Sequence, residues 1–130
     1  MDLKALRDKE KRAEEVKQKA VCEKYVAERF GEKVNHWRKE HGKIWFLPVF
    51  AEDGETIEKF AIFKPINRTI LNYATSKLED SGLYGFLEAA MMECWIDGDD
   101  EIIQNDEYFI SSAQVFNKVI ESKKVAFIKG

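Results

Sequence analysis

Carboxylates crowd one short stretch of this chain. Glu93, Asp97, Asp99, Asp100, Glu101, Asp106 and Glu107 fall together with no Lys or Arg among them. A cluster of this kind is the chemistry of a divalent cation site. A calcium loop opening at Asp97 would need glycine at its sixth position and a bidentate glutamate at its twelfth. Those positions hold Ile102 and Tyr108, so the pattern fails at both geometric anchors. The remaining reading is electrostatic. Carboxylates near the start of a following helix favour its macrodipole, and no metal is expected.

Other reactive residues are spaced without a site pattern. His36 and His41 lack a glutamate at the zinc-protease spacing and read as solvated histidines. Cys22 and Cys94 stand in separate helical segments, without metal or redox spacing, and read as free thiols of a reducing cytoplasm. Trp37, Trp45 and Trp95 offer stacking surfaces, but no basic stripe accompanies them, so they read as core. No phosphate loop, dinucleotide fingerprint or nucleophile elbow occurs. The chain is expected to be no enzyme and to hold no cofactor.

The elements that would position these residues centre on 63–106. Pro65 ends a strand at Lys64. Asn67 caps a helix over 68–78, with Ile70, Leu71, Ala74 and Leu78 on one side. Residues 79–82 break it. Ser81 caps a second helix with Leu83, Phe86, Leu87, Ala90, Met91, Cys94 and Trp95 on a broad apolar face. Gly85 in this helix marks close packing, and Asp97-Gly98-Asp99 ends it. Asn105 or Asp106 opens a third, burying Tyr108, Phe109, Ala113, Phe116 and Ile120. Leu87 and Phe116 are expected on facing helices.

Before this stretch, 43–50 reads as a strand rich in aromatic and β-branched residues, with Pro48 placing it at a sheet edge. Asp53-Gly54 turns it into a return strand over 56–64. There Ile57, Phe60 and Ile62 do not alternate cleanly, which implies a bulge or two-sided burial. Two strands alone are marginal, and the short apolar run 125–129 is the candidate third. The fold class is therefore α+β: a long charged N-terminal helix, a β-hairpin extended by the C-terminal strand, and a bundle of about three helices.

Residues 1–31 read as a charged helical arm and 32–130 as a single α+β domain. Leu6, Ala13, Ala20 and Ala27 recur at heptad steps with Val16 beside them, a thin seam that Lys9 and Glu23 interrupt. Two readings stand. The seam is an interaction arm for a partner or a second subunit, and a chain starting near Glu32 then keeps its fold. Alternatively Val16, Ala20 and Phe30 pack on the hairpin and complete the core. A short helix over 32–40 follows, with Gly42 as its C-cap. The 130 residues suffice for one core, and the net charge of −3 supplies no field for nucleic acid or anionic membrane. No apolar run reaches membrane-spanning length, and the charged N-terminus is unlike a secretory signal.

A basic residue and glycine lead into the strand at 42–50. The return strand ends in Phe63-Lys64-Pro65. Two helices then lead to Cys94-Trp95-Ile96-Asp97-Gly98-Asp99, and Asn105-Asp106-Glu107 opens the next. This order resembles the tail assembly chaperones of tailed bacteriophages, over about 42–122; the charged N-terminal helix departs from it. The resemblance implies a non-enzymatic factor of the host cytoplasm. Its partners would be the long helical tape-measure protein and tail-tube subunits, kept soluble until the tube assembles. No catalytic residue carries over. An apolar groove near Met92 and Trp95 would receive an amphipathic partner helix. Leu6, Ala13, Val16, Ala20 and Ala27 would serve a partner or a homo-oligomer. The alternatives are a virion structural or connector protein, which stays in the particle, and a small enzyme with an acidic metal site.

Overall fold

The structure is a computed structural model that describes residues 2–121 and 123–130. Met1, where the N-terminal helix was expected to begin, and Ser122, where the family resemblance ends, lie outside the described residues.

Trp45–Phe50 (β1) and Ile57–Phe63 (β2) pair antiparallel, with Trp45 opposite Phe63 and Leu47 opposite Ala61. The Asp53 carboxylate builds the turn between them. It accepts from the Glu55 N–H (2.8 Å), the Thr56 N–H (2.8 Å) and the Thr56 hydroxyl (2.6 Å). These bonds, led by the Thr56 hydroxyl, hold its pKa down to about 2. The loop is longer than a two-residue hairpin and closes with Ala51 N–H on the Thr56 carbonyl.

The third strand is not the C-terminal run. It is Trp95–Gly98 (β3), antiparallel to β2 on the side away from β1. Residues 125–129 have no regular structure, and Phe127 is 108% exposed. The correction has a backbone cause. The helix that was expected to carry Trp95 ends at Cys94, because from there β2 offers partners. Lys64 N–H donates to the Cys94 carbonyl (2.8 Å), and Asp99 N–H to the Phe60 carbonyl (2.8 Å). Gly98 permits the approach: a Cβ there would stand 2.4 Å from the Phe60 carbonyl oxygen. β2 is thus central and buried on both faces from Phe60 to Phe63. That, with register shifts beside both neighbours, is why its apolar residues do not alternate.

One face of the sheet packs on a helical layer. Asn67 caps Arg68–Thr75 (α3), its side-chain oxygen accepting from Ile70 N–H at 2.9 Å. Leu78–Cys94 (α4) bends at Gly82, whose φ of 69° breaks the helix at the end of the expected 79–82 interruption. The helix before the break is shorter than expected, so Leu78 falls in α4 and stays exposed, as does Leu83. The Gly85 crowding is local: a Cβ would strike Ser81, one turn back. Glu101–Gln104 (α5) and Asp106–Ile120 (α6) follow, α6 capped by Asn105. Leu87, Met91, Ile102, Phe109 and Phe116 bury against Phe63 and Leu47.

The other face packs on Leu3–Arg29 (α1) and Lys33–His41 (α2). Cys22, Val26, Phe30 and Val34 cover Phe60 and Ile62. The buried stripe of α1 is therefore not the predicted seam. Val16 is 70% exposed, and Leu6, Ala13, Ala20 and Ala27 are exposed too. Of the three residues considered for the hairpin, only Phe30 packs. The physical reason is area: the stripe through Cys22, Tyr25, Val26 and Phe30 buries larger side chains than an alanine seam. This apolar cluster crosses the division expected at residue 31.

Candidate interaction cleft

The end of α4, the start of β3 and the α5–α6 corner enclose an open cleft of about 560 Å³. Glu88 and Met92 reach it from successive turns of α4, four residues apart and so on one face. Met92 is 59% exposed, large for an unbranched apolar side chain. Trp95 forms the wall where helix becomes strand, its ring edge-on to Phe63 at 5.5 Å. Since Phe63 is buried in the core, the indole is fixed from behind while its other side meets the cleft. Ile103 adds to the apolar floor, and Glu88, Asp100 and Asp106 form the rim with Gln104. No cation lines it. The arrangement is a small apolar surface under negative charge, with no nucleophile or base pair aimed at a common point.

The acidic stretch disperses rather than converging. Asp99 serves the fold: Arg29 donates to both its oxygens at 3.0 Å, and Phe60 N–H donates to it at 2.8 Å. Burial alone would raise the Asp99 pKa, but the hydrogen bonds from Arg29 and Phe60 outweigh it and the net shift is downward. Asp97 accepts from the N–H of Gly98, and Glu101 pairs with Lys59 at 3.6 Å. Asp106 and Glu107 sit in the first turn of α6, where the macrodipole favours them. Among the described residues, no group of three or more His, Cys, Asp or Glu is placed to hold a metal ion. Burial pushes the Cys94 thiol up to about 11 and the Cys22 thiol upward, so both free cysteines stay protonated near neutral pH.

Of the predicted interaction residues, Met92 and Trp95 meet in the cleft. Leu6, Ala13, Val16, Ala20 and Ala27 lie on α1 instead, Ala13 beside the hairpin loop where Lys17 pairs with Glu55. Glu88, Ile103 and Gln104 were not singled out, and Asp100 and Asp106 were read only as part of the acidic stretch weighed as a cation site. Glu88 carries a helical signal, its spacing from Met92; the rest depend on the α5–α6 corner. The Arg29–Asp99 pair, 70 residues apart, has no sequence signal. Among the described residues no helix is long and apolar enough to cross a membrane. In comparisons with known proteins, no family model, no curated protein and no solved structure matches this chain.

Proposed function

We propose that this protein is a non-enzymatic interaction factor whose cleft at Met92 and Trp95 holds an amphipathic helix with basic flanks. Its finer role on this reading is a chaperone of phage tail assembly in the host cytoplasm, with tape-measure and tail-tube proteins as clients. The observation that carries the reading is the cleft's composition: an exposed methionine, a core-anchored tryptophan and an isoleucine under three carboxylates. Methionine adapts its shape to varied partners. The carboxylates select Lys or Arg at the flanks of an apolar helical stripe and speed encounter. A small open cleft also suits a client that must be released.

Titration of the protein with helical tape-measure segments, followed by calorimetry, tests this. Binding should weaken with salt and be lost in Met92→Asp, whose side chain is exposed and leaves the fold intact. Unchanged binding in Met92→Asp would remove the cleft from the mechanism. Mass spectrometry of purified particles separates a chaperone, absent from them, from a virion structural or connector protein, present in them.

A further inference from the structure

The sheet has two outer strands, and they are protected unequally. β3 is 4 residues long, its pairing is interrupted by a register shift, and it carries Asp97; each feature discourages further pairing. β1 has 6 residues, none of them charged, and its guards are Pro48 and the register shift between Val49 and Phe50. The orientation of its backbone follows from Phe60. Both the N–H and the carbonyl of Phe60 bond to Asp99, on the β3 side. Its β1 partner, Pro48, therefore occupies a non-hydrogen-bonded pair, with its nitrogen turned to the open edge. Alternation turns the Phe46 N–H and carbonyl the same way. The edge thus retains ladder groups at Phe46 and the Pro48 carbonyl, with only the proline donor missing.

A cleft of about 400 Å³ runs along this edge between β1 and α6. Its two ends differ in charge. Glu58 and Glu107 line it near Val49, the end where Lys59, opposite Val49, lies over the Tyr108 ring. At the Trp45 end stand Lys43, over the Trp45 ring at 4.2 Å, and Lys64. Between them Val115 of α6 is 51% exposed. The C-terminal segment has two lysines at its start, Lys123 and Lys124, then Val125, Phe127 and Ile128, all three exposed, and a single lysine, Lys129, at its end, so its charge is weighted toward the start.

We propose that the C-terminal segment of a second copy adds to β1 as an antiparallel fourth strand, so that two copies exchange tails. Antiparallel addition sets Lys123 and Lys124 at the Glu58–Glu107 end and lays the apolar residues along the cleft over Val115. The chain's own tail cannot do this. α6 delivers it at Ile120, beside Trp45 and Phe46, so in its own chain it would run parallel to β1. That direction places Lys123 and Lys124 against Lys43 and Lys64, and parallel pairing is the weaker kind. Charge and direction both favour the second copy.

Light scattering on the full chain over a range of concentrations tests this. The expected mass is twice that of the chain, falling to one on dilution. Phe127→Asp with Ile128→Asp should abolish the dimer and leave the melting curve unchanged at concentrations where the wild type is already monomeric. Lys123→Glu with Lys124→Glu should weaken it about tenfold, and Glu58→Lys added to that pair should restore it. A monomer at every concentration overturns the proposal. So does a dimer that survives the double aspartate variant, or a monomer whose tail amides resist hydrogen exchange, which would mean that the tail pairs within its own chain.

Discussion

The two faces of the one sheet are closed by different means. Toward α3–α6 large side chains such as Phe63, Leu87, Met91 and Phe116 interleave with small ones: Ala61, Ala74, Ala90, Ala113 and Cys94 are fully buried and let helices approach strand and each other. Toward α1 and α2 aromatic rings gather around one residue of β2. Tyr25, Phe30 and Phe46 surround Phe60, with ring centroids 5.0, 5.7 and 5.8 Å away, and Arg29–Asp99 fastens the rim. The difference teaches that the N-terminal helix is core in its second half. A central strand with both faces apolar cannot leave one of them in water.

Removing the second cover should have the largest effect. A chain starting at Glu32 loses Cys22, Val26 and Phe30 from above Phe60 and Ile62, and should lose cooperative unfolding in circular dichroism. A sharp, near-native transition would mean that α1 is only an arm. Single truncations compare the faces directly. Phe60→Ala should cost about 3–5 kcal/mol and Leu87→Ala about 2–5 kcal/mol in urea, through lost transfer energy and the cavity left. A shift under about 0.5 kcal/mol at either position, the range of a surface substitution, would misplace that face.

The rim sharpens the comparison. Asp99→Asn removes the charge that Arg29 and Phe60 N–H meet, and should cost about 1–2 kcal/mol, discounted because both side chains are partly open to water. The sign with pH follows from the depressed pKa of Asp99. Its contribution is whole above the ordinary carboxylate range and is lost as pH falls through the folded value. The gap between wild type and Asp99→Asn should therefore close in acid, and a constant gap would show that the carboxylate's charge is irrelevant. The smallest effect is expected on the exposed seam. Val16→Asp should change stability by under about 0.5 kcal/mol, and a larger loss would show that the seam packs on something.

The residues themselves announced much of this architecture, for local reasons. Asn67 and Asn105 are caps because their side chains bond the first turn of their own helices. Pro48 marks an edge because it lacks a donor, and Leu87 and Phe116 are buried because their helical spacing gathers an apolar stripe. In the cleft, Met92 and Trp95 were legible as large apolar groups near a helix end. Asp100 and Asp106 were legible as part of an acidic stretch, but their meeting with Glu88 at the cleft depends on the α5 corner.

Tertiary structure decided what depends on a distant partner. Of the two short runs, 125–129 is the more apolar and Trp95–Gly98 holds only two apolar residues before Asp97 and Gly98, so sequence pattern favours the wrong strand. The bonds from β2 to Cys94 and Asp99, with the space that Gly98 leaves, chose Trp95–Gly98. On α1 a heptad seam and a wider stripe compete on the same helix, and only the need to cover Phe60 and Ile62 selects between them. Asp99 reads as one more helix-capping acid until the fold sets Arg29 beside it. Hydrogen bonds within a turn are written in neighbouring residues, whereas burial depends on what the rest of the chain brings to the other side.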